Sequence, residues 1–209
     1  DEYLDRSERW CLGLKGISPS VYRGIKPISD AINKVKEFRA SSTRTQTQKF
    51  ASTPMLFGET RQPQSEYLIV PLVNTEKRVY VPMDFFTADI VPTHQLGVIE
   101  NATLYHFGVL QSIVHMAWMR YVCGRQEMRT RYSVEIVYNN FPWPTPNDTQ
   151  IQKIVKTAKA ILEARKKLEE AKREDAKNAY VSFNGTGFTI HQTTEAQDEA
   201  QADLDETLQ

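Results

Sequence analysis

One stretch constrains the fold of this chain more than any other. Residues 101–144 read NATLYHFGVLQSIVHMAWMRYVCGRQEMRTRYSVEIVYNNFPWP. Phe107, Leu110, Ile113, Val114, Ala117, Trp118, Tyr121 and Val122 recur with a helical period, which predicts one helix with a single buried face. Gly124 follows the last periodic residue, where helices commonly end in a left-handed residue. A polar segment, Arg125 to Arg131, then places one acid among three arginines. Val134 and Ile136 alternate with polar neighbours, predicting a half-buried strand over 132–138. Pro142 and Pro144 stop that strand, since proline donates nothing to a ladder. This reading presents Glu127, Arg129 and Arg131 together at one edge.

Length limits the rest. The 209 residues can bury one good core, or one domain with an appendage. No apolar run approaches the roughly 20 residues that span a bilayer, and no secretory signal opens the sequence, so a cytoplasmic location is expected. Asp1 stands where an initiator Met would, as in a piece of something longer. Cys11 and Cys123 lie far apart in apolar surroundings and read as two buried, reduced thiols. The net charge of zero hides an asymmetry. Residues 195–209 carry six acids and no base, so residues 1–194 carry +6. Eight basic residues against two acids fall within residues 15–50. Such a surface can meet phosphate, or it can be an ordinary solvated face.

Trp10, Leu12 and Leu14 mark a short amphipathic opening, and Pro19 starts a new turn. Ile28, Ile32, Val35 and Phe38 predict a helix after Pro27, with Ser29 or Asp30 as its cap. Residues 41–53 are rich in hydroxyls and amides and carry Arg44 and Lys49 without an acid. They read as a loop that either donates to phosphates or simply connects. The apolar runs 67–71 and 79–83, with a turn at 74–77, predict a hairpin. Residues 98–99 and 102–104 read as extended chain, and the loop before them exposes Thr93, His94 and Gln95. After Pro146, Asn147 or Asp148 can cap a long helix that becomes charged nearly all round from Ala164. Residues 180–191 predict a small hairpin, and the acidic tail reads as disordered.

Catalytic patterns are absent. His94, His106, His115 and His191 have no metal-ligand spacing, and each reads best as a structural histidine. No phosphate-binding glycine loop, nucleophile elbow or cofactor fingerprint is present. Asn139 to Pro144 fits a strand end anchored by Phe141 and Trp143. The segment after Gly124 has residue types suited to bases. Arginine can bond twice to guanine, and a carboxylate can accept from cytosine. Glu127 and Arg129, two apart, point the same way in an extended chain. They can read both members of one G·C pair, or form an ordinary surface ion pair.

The words TPMLFGETRQP, KRVYVPMDFF, NATLYHFGVL, MAWMRYVCGR and RYSVEIVYNNFPWP are specific. Through them the chain resembles, over residues 10–165, the target recognition domain of MmeI-like adenine-specific DNA methyltransferases, which are often fused to a restriction endonuclease. The resemblance implies that the central stretch enters the DNA major groove. It also implies that the positions after the triplet Cys123-Gly124-Arg125 vary as a charge pair that sets the preferred base pair. Those positions are Glu127 and Arg129 here, with Arg131 nearby. The loop holding Thr93, His94 and Gln95 is implied as a further reader. The family's catalytic Asn-Pro-Pro-aromatic motif and its S-adenosylmethionine glycine motif are missing, and the end after Arg165 departs from the family's closing helices.

The expected fold is α+β: a small antiparallel or mixed sheet packed by a central helix, followed by a long C-terminal helix. The expected division is a recognition domain over 1–146, a helical extension over 147–178, and a hairpin with acidic tail over 179–209. The expected function is sequence-specific reading of double-stranded DNA for an adenine methyltransferase. Arg44, Lys49 and Arg125 are the expected phosphate contacts. S-adenosylmethionine and catalysis are expected in a methyltransferase domain of the same polypeptide, outside this chain. The alternative is a protein-interaction domain that docks a partner through its basic face.

Overall fold

The computed structural model describes the backbone of residues 9–59, 62–178, 180–183 and 188–191, with side chains through Arg173. The acidic tail and the turn of the last hairpin lie outside the described residues. The chain divides into two units, Asp1–Arg61 and Gln62–Gln209, which are taken separately.

The first unit is helical. A short α1 (Pro19–Tyr22) precedes α2 (Lys26–Ala40). Helix α2 starts earlier than Ser29 or Asp30 would set it. Pro27 sits in its first turn, where the fixed φ suits a helix and no N–H is missed. Residues 41–53 are not a loop: Thr45–Lys49 form α3, and a 3-10 turn follows at Phe50–Ser52. Arg39 holds this return in place. Its guanidinium donates to the carbonyls of Phe50 (3.0 Å), Thr53 (3.0 Å) and Leu56 (2.8 Å) and lies 6.0 Å from the Phe50 ring centre. A half-buried arginine fork is thus spent on structure rather than on the basic surface. Phe38 on α2 stays 73% exposed, and Cys11 is exposed where a buried thiol was expected.

The second unit is built on β1 (Tyr67–Pro71). Its continuous apolar run is buried at Tyr67, Leu68, Ile69 and Val70 because it is the middle strand of an antiparallel sheet. On one side pairs β3 (Asp84–Phe86), and on the other β4 (Leu96–Glu100). The hairpin partner of β1 is therefore not 79–83 but the segment just after it. Pro82 cannot donate to a ladder, and Val81 and Met83 go into the core instead. A second antiparallel sheet joins β2 (Val73–Asn74) to β6 (Arg129–Arg131) and β5 (Gly124–Gln126). The last two strands, β7 (Tyr180–Phe183) and β8 (Phe188–His191), pair antiparallel, as the sequence predicts.

The central helix is two helices, α4 (Leu104–Leu110) and α5 (Ile113–Val122). Ser112 makes the break. It takes an extended backbone and accepts the His115 N–H on its hydroxyl (3.2 Å), the behaviour of an N-cap. Thr103, expected in extended chain, caps α4, its N–H donating to His106 Nδ1 at 3.1 Å. Gly124 is not a left-handed helix end but the first residue of β5. The expected strand over 132–138 is a π-helical turn, Val134–Tyr138. Ser133 caps it, and Trp118 Nε1 donates to the Val137 carbonyl at 2.9 Å. Val137 is buried, while Val134 and Ile136 are 42% and 50% exposed, the reverse of the alternation expected.

The long helix α6 (Asp148–Asn178) opens with Asn147, whose side chain accepts from the Gln150 N–H while Gln150 returns the bond. It crosses α4 closely at Gly108, where a Cβ would stand 2.6 Å from the Ile154 side chain and 3.2 Å from its carbonyl. Glycine is what lets the two backbones approach. The charged half still contributes to the core through Ala164 and Leu168. Arg165 reaches back to the Met83 carbonyl (2.6 Å) and the Gln111 amide oxygen (2.5 Å).

Beneath the helix break lies His115, fully buried. Its Nδ1 donates to the Leu110 carbonyl at 2.9 Å, which leaves Nε2 to accept the Tyr132 hydroxyl at 3.1 Å. Phe141 packs edge-on to the imidazole at 4.8 Å and meets Trp143 at 5.6 Å, the anchoring role read for both aromatics. Loss of solvent lowers the His115 pKa from 6.5 to about 4. The unfolded chain therefore binds this proton more readily than the folded one. Its contribution to stability is whole above pH 6.5 and declines as pH falls toward 4. Between pH 7 and pH 5 the loss should be about 2 kcal/mol, read by urea unfolding. His115→Gln should flatten that difference; an equally steep decline in the variant would refute this origin.

Candidate nucleic-acid interface

The polar segment after α5 folds as a tight hairpin. Gly124 pairs Arg131, Arg125 pairs Thr130 and Gln126 pairs Arg129, leaving Glu127 and Met128 as a two-residue turn. Glu127 has φ 58°, a positive value of the kind that two-residue hairpin turns call for. The expected geometry is corrected here. Glu127 and Arg129 are not two residues of one extended strand; one occupies the turn and the other begins β6. Strand parity places Arg129 and Arg131 on one face of the hairpin, with Thr130 on the opposite face.

Gln126 lies directly across from Arg129, so it shares the Arg129 and Arg131 face, which the sequence reading missed. The signal was present: a two-residue turn at Glu127-Met128 fixes this register, but only once the segment is read as a hairpin rather than a charged loop. Gln126, Glu127, Met128, Arg129 and Arg131 are all exposed, Met128 at 71%. The side chains of Gln126, Glu127, Arg129 and Arg131 form no hydrogen bond or ion pair with another described residue. The surface ion pair considered for Glu127 and Arg129 is accordingly absent.

The other face is structural and partly buried. Asn74 is 5% exposed and donates to the Pro71 carbonyl (2.8 Å), and Thr130, also 5% exposed, bonds the Asn74 carbonyl. Arg125 belongs to this face. It lines a cleft of about 230 Å³ with Arg78, Arg120, Glu76 and Tyr80, among others. Arg125 is thus separated by the thickness of the hairpin from Arg129 and Arg131.

The loop bearing Thr93, His94 and Gln95 is exposed and is held next to the hairpin through one residue. Leu72 donates its N–H to the Gln95 carbonyl (2.9 Å), and its carbonyl accepts the Tyr132 N–H (2.8 Å). Close packing reinforces this link. A Cβ at Gly97 would stand 3.4 Å from Leu72 and 3.5 Å from Val134. The two expected reader segments are therefore neighbours. Arg44 and Lys49 are exposed at the two ends of α3 in the first unit. Among the described residues no cluster of three or more His, Cys, Asp or Glu can hold a metal, and no helix is long and apolar enough to cross a membrane.

The left-handed backbone at Glu127 is costly for any residue with a Cβ, by about 1–2 kcal/mol. Glu127→Gly should therefore raise stability by about 0.5–1 kcal/mol in urea unfolding, glycine's greater freedom in the unfolded chain offsetting part of the relief. A loss of stability instead would mean that the carboxylate makes a contact that outweighs the strain.

Known proteins share the sequence and fold of this chain. The family model of the MmeI target recognition domain matches residues 1–145. DNA methyltransferase A of Bacillus subtilis (strain 168) is 32% identical over 164 residues, which is 78% of this chain and 19% of that protein. A solved structure of the Type IIL restriction-modification enzyme MmeI in complex with DNA matches with a TM-score of 0.76 and 34% identity, over 99% of this chain and 26% of that one. The chain thus spans about a quarter or less of the proteins it resembles. With most of its length matched by the family model, the chain belongs to the MmeI target recognition domain family.

Proposed function

We propose that this chain is the sequence-reading module of a DNA methyltransferase of a restriction-modification system. The observation that carries this reading is the exposed hairpin. It offers an acid, an amide and two arginines, none bonded to another described residue, in a domain similar to one solved on DNA. A two-stranded ribbon fits the major groove, where each base pair shows a distinct set of donors and acceptors. Arg129 is assigned to guanine and Glu127 to its cytosine. Arg131, on the same face as Arg129, reads a neighbouring base, joined by Thr93, His94 or Gln95 from the adjacent loop. The absence of partners among the described residues supports these roles, because such a guanidinium gives up no ion pair on entering the groove.

Methyl transfer to the exocyclic amino group of adenine, S-adenosylmethionine binding and base flipping are assigned to a methyltransferase domain of the same polypeptide, in the cytoplasm. That cofactor supplies the methyl group; this chain's residues hold and orient the DNA site. Residues 1–146 form the recognition domain in this proposal, and α6 extends it.

The charge-swapped variant Glu127→Lys with Arg129→Asp, made in the complete polypeptide, tests the pair. Lysine then meets guanine on the opposite strand and aspartate its cytosine, so the preferred base pair should invert at one position. Each contact discriminates by about 1–3 kcal/mol, enough to change which sites are methylated. Mapping of methylated bases in cellular DNA reads the result. An unaltered motif would remove the pair from the reading surface.

Phosphate contacts position the module without reading sequence. Arg44, Lys49 and Arg125 are assigned this role because all three are exposed cations. Arg44→Ala with Lys49→Ala should weaken binding equally on all duplexes. The slope of log affinity against log salt should become shallower by about 0.9 for each phosphate no longer neutralised, about 1.8 for the pair. Binding titrations from low to moderate salt measure it, and an unchanged slope would exclude α3 from the phosphate backbone.

A further inference from the structure

We propose that Gln126 is a further base-reading residue, one that takes an adenine in the base pair next to that held by Glu127 and Arg129. The inference rests on the DNA-reading role proposed above and deepens it. Its basis is the register of the hairpin. Gln126 pairs directly with Arg129 across the strands, so the two side chains leave the same face. Gly124 pairs with Arg131 and adds no side chain, which makes Gln126 the one side chain that β5 contributes to this face. It is exposed and bonds to no other described residue.

Spacing matches the ligand. Residues two apart on a strand stand about 6.6 Å apart, close to two base-pair steps of about 3.4 Å each. Arg129 and Arg131 therefore address bases two steps apart along the groove. Gln126 lies about 5 Å to the side of Arg129, across the ribbon rather than along it, and with Glu127 and Arg129 holding both bases of one pair it is left to a base of a neighbouring pair. Its amide carries both a donor and an acceptor on one planar group. Adenine shows the matching set in the major groove, an N7 acceptor beside an N6 donor. Guanine shows two acceptors there, and the amide oxygen would face one of them unpaired.

The test uses Gln126→Ala and Gln126→Glu in the complete polypeptide, with methylated sites mapped and oligonucleotides varied at one position at a time. Alanine should lower the preference for adenine at that position by about 5- to 150-fold. Glutamate, nearly the same size, should shift the preference toward cytosine, whose amino group can donate to its carboxylate. The base pair set by Glu127 and Arg129 should stay as it was. Arg125→Ala, at an assigned phosphate contact on the opposite face, should weaken binding on all duplexes alike and leave every base preference intact. If both Gln126 variants keep the wild-type motif and per-site efficiency while the Glu127/Arg129 swap redirects it, the inference is overturned and the DNA-reading role stands. If the swap also changes nothing, the hairpin as a whole leaves the reading surface, and this inference goes with it.

Discussion

The backbone of Leu72 carries two hydrogen bonds in opposite directions, and the arrangement of the candidate surface depends on them. Its N–H extends the ladder of the first sheet to Gln95, and its carbonyl extends the ladder of the second sheet to Tyr132. A single residue thus fixes where one sheet ends and the next begins. Both exposed segments hang from this junction. The hairpin of β5 and β6 projects from one side and the Thr93–Gln95 loop from the other, so their separation is set by backbone geometry rather than by flexible side chains. Gly97 lies against the same junction, in contact range of Leu72 and Val134. Close placement matters because a base-edge hydrogen bond weakens steeply when misaligned.

Under the hairpin, a buried polar group sets the supporting surface. His115 satisfies the Leu110 carbonyl left open at the end of α4 and takes the hydroxyl of Tyr132, the residue just after β6. It therefore ties the helix break to the base of the hairpin. Gln111 and Arg165 do similar work on the other side, where the amide bonds the Val81 carbonyl (2.7 Å) and the guanidinium bonds the Met83 carbonyl. These are buried or partly buried polar groups with partners, the condition under which they add order rather than cost.

Much of this was legible in the sequence, and the errors have common causes. The apolar period from Phe107 to Val122 correctly predicted helix but not its buried face, since Ile113, Val114 and Tyr121 are exposed while His115, Met116 and Met119 are buried. It could not show that Ser112 would cap a second helix, because a serine within a periodic run looks the same whether it points to solvent or to its own backbone. The alternation of Val134 and Ile136 suggested a strand, yet Ser133 and Asn140 bond the local backbone and favour a turn. The run YLIV was recognisable as a strand by its composition. Its partner was misplaced because apolar residues 79–83 enter the core without pairing. At the surface, residue types pointed to Glu127, Arg129 and Arg131. Gln126 stayed hidden, since facing is a property of register and register appeared only when the turn was known.

The left-handed turn at Glu127 has a consequence for how such a module can change. A β-branched side chain at that position is penalised by sterics before it meets any ligand. Position 127 is thus open chiefly to glycine, Asn, Asp and unbranched polar residues, while position 129, on a strand, accepts any of them and β-branched residues besides. The backbone filters the alphabet at one half of the pair and leaves the other half unrestricted. New readouts are therefore more accessible by single codon changes at 129 than at 127, and an Asp or Asn at 127 is the least strained non-glycine departure from the present residue.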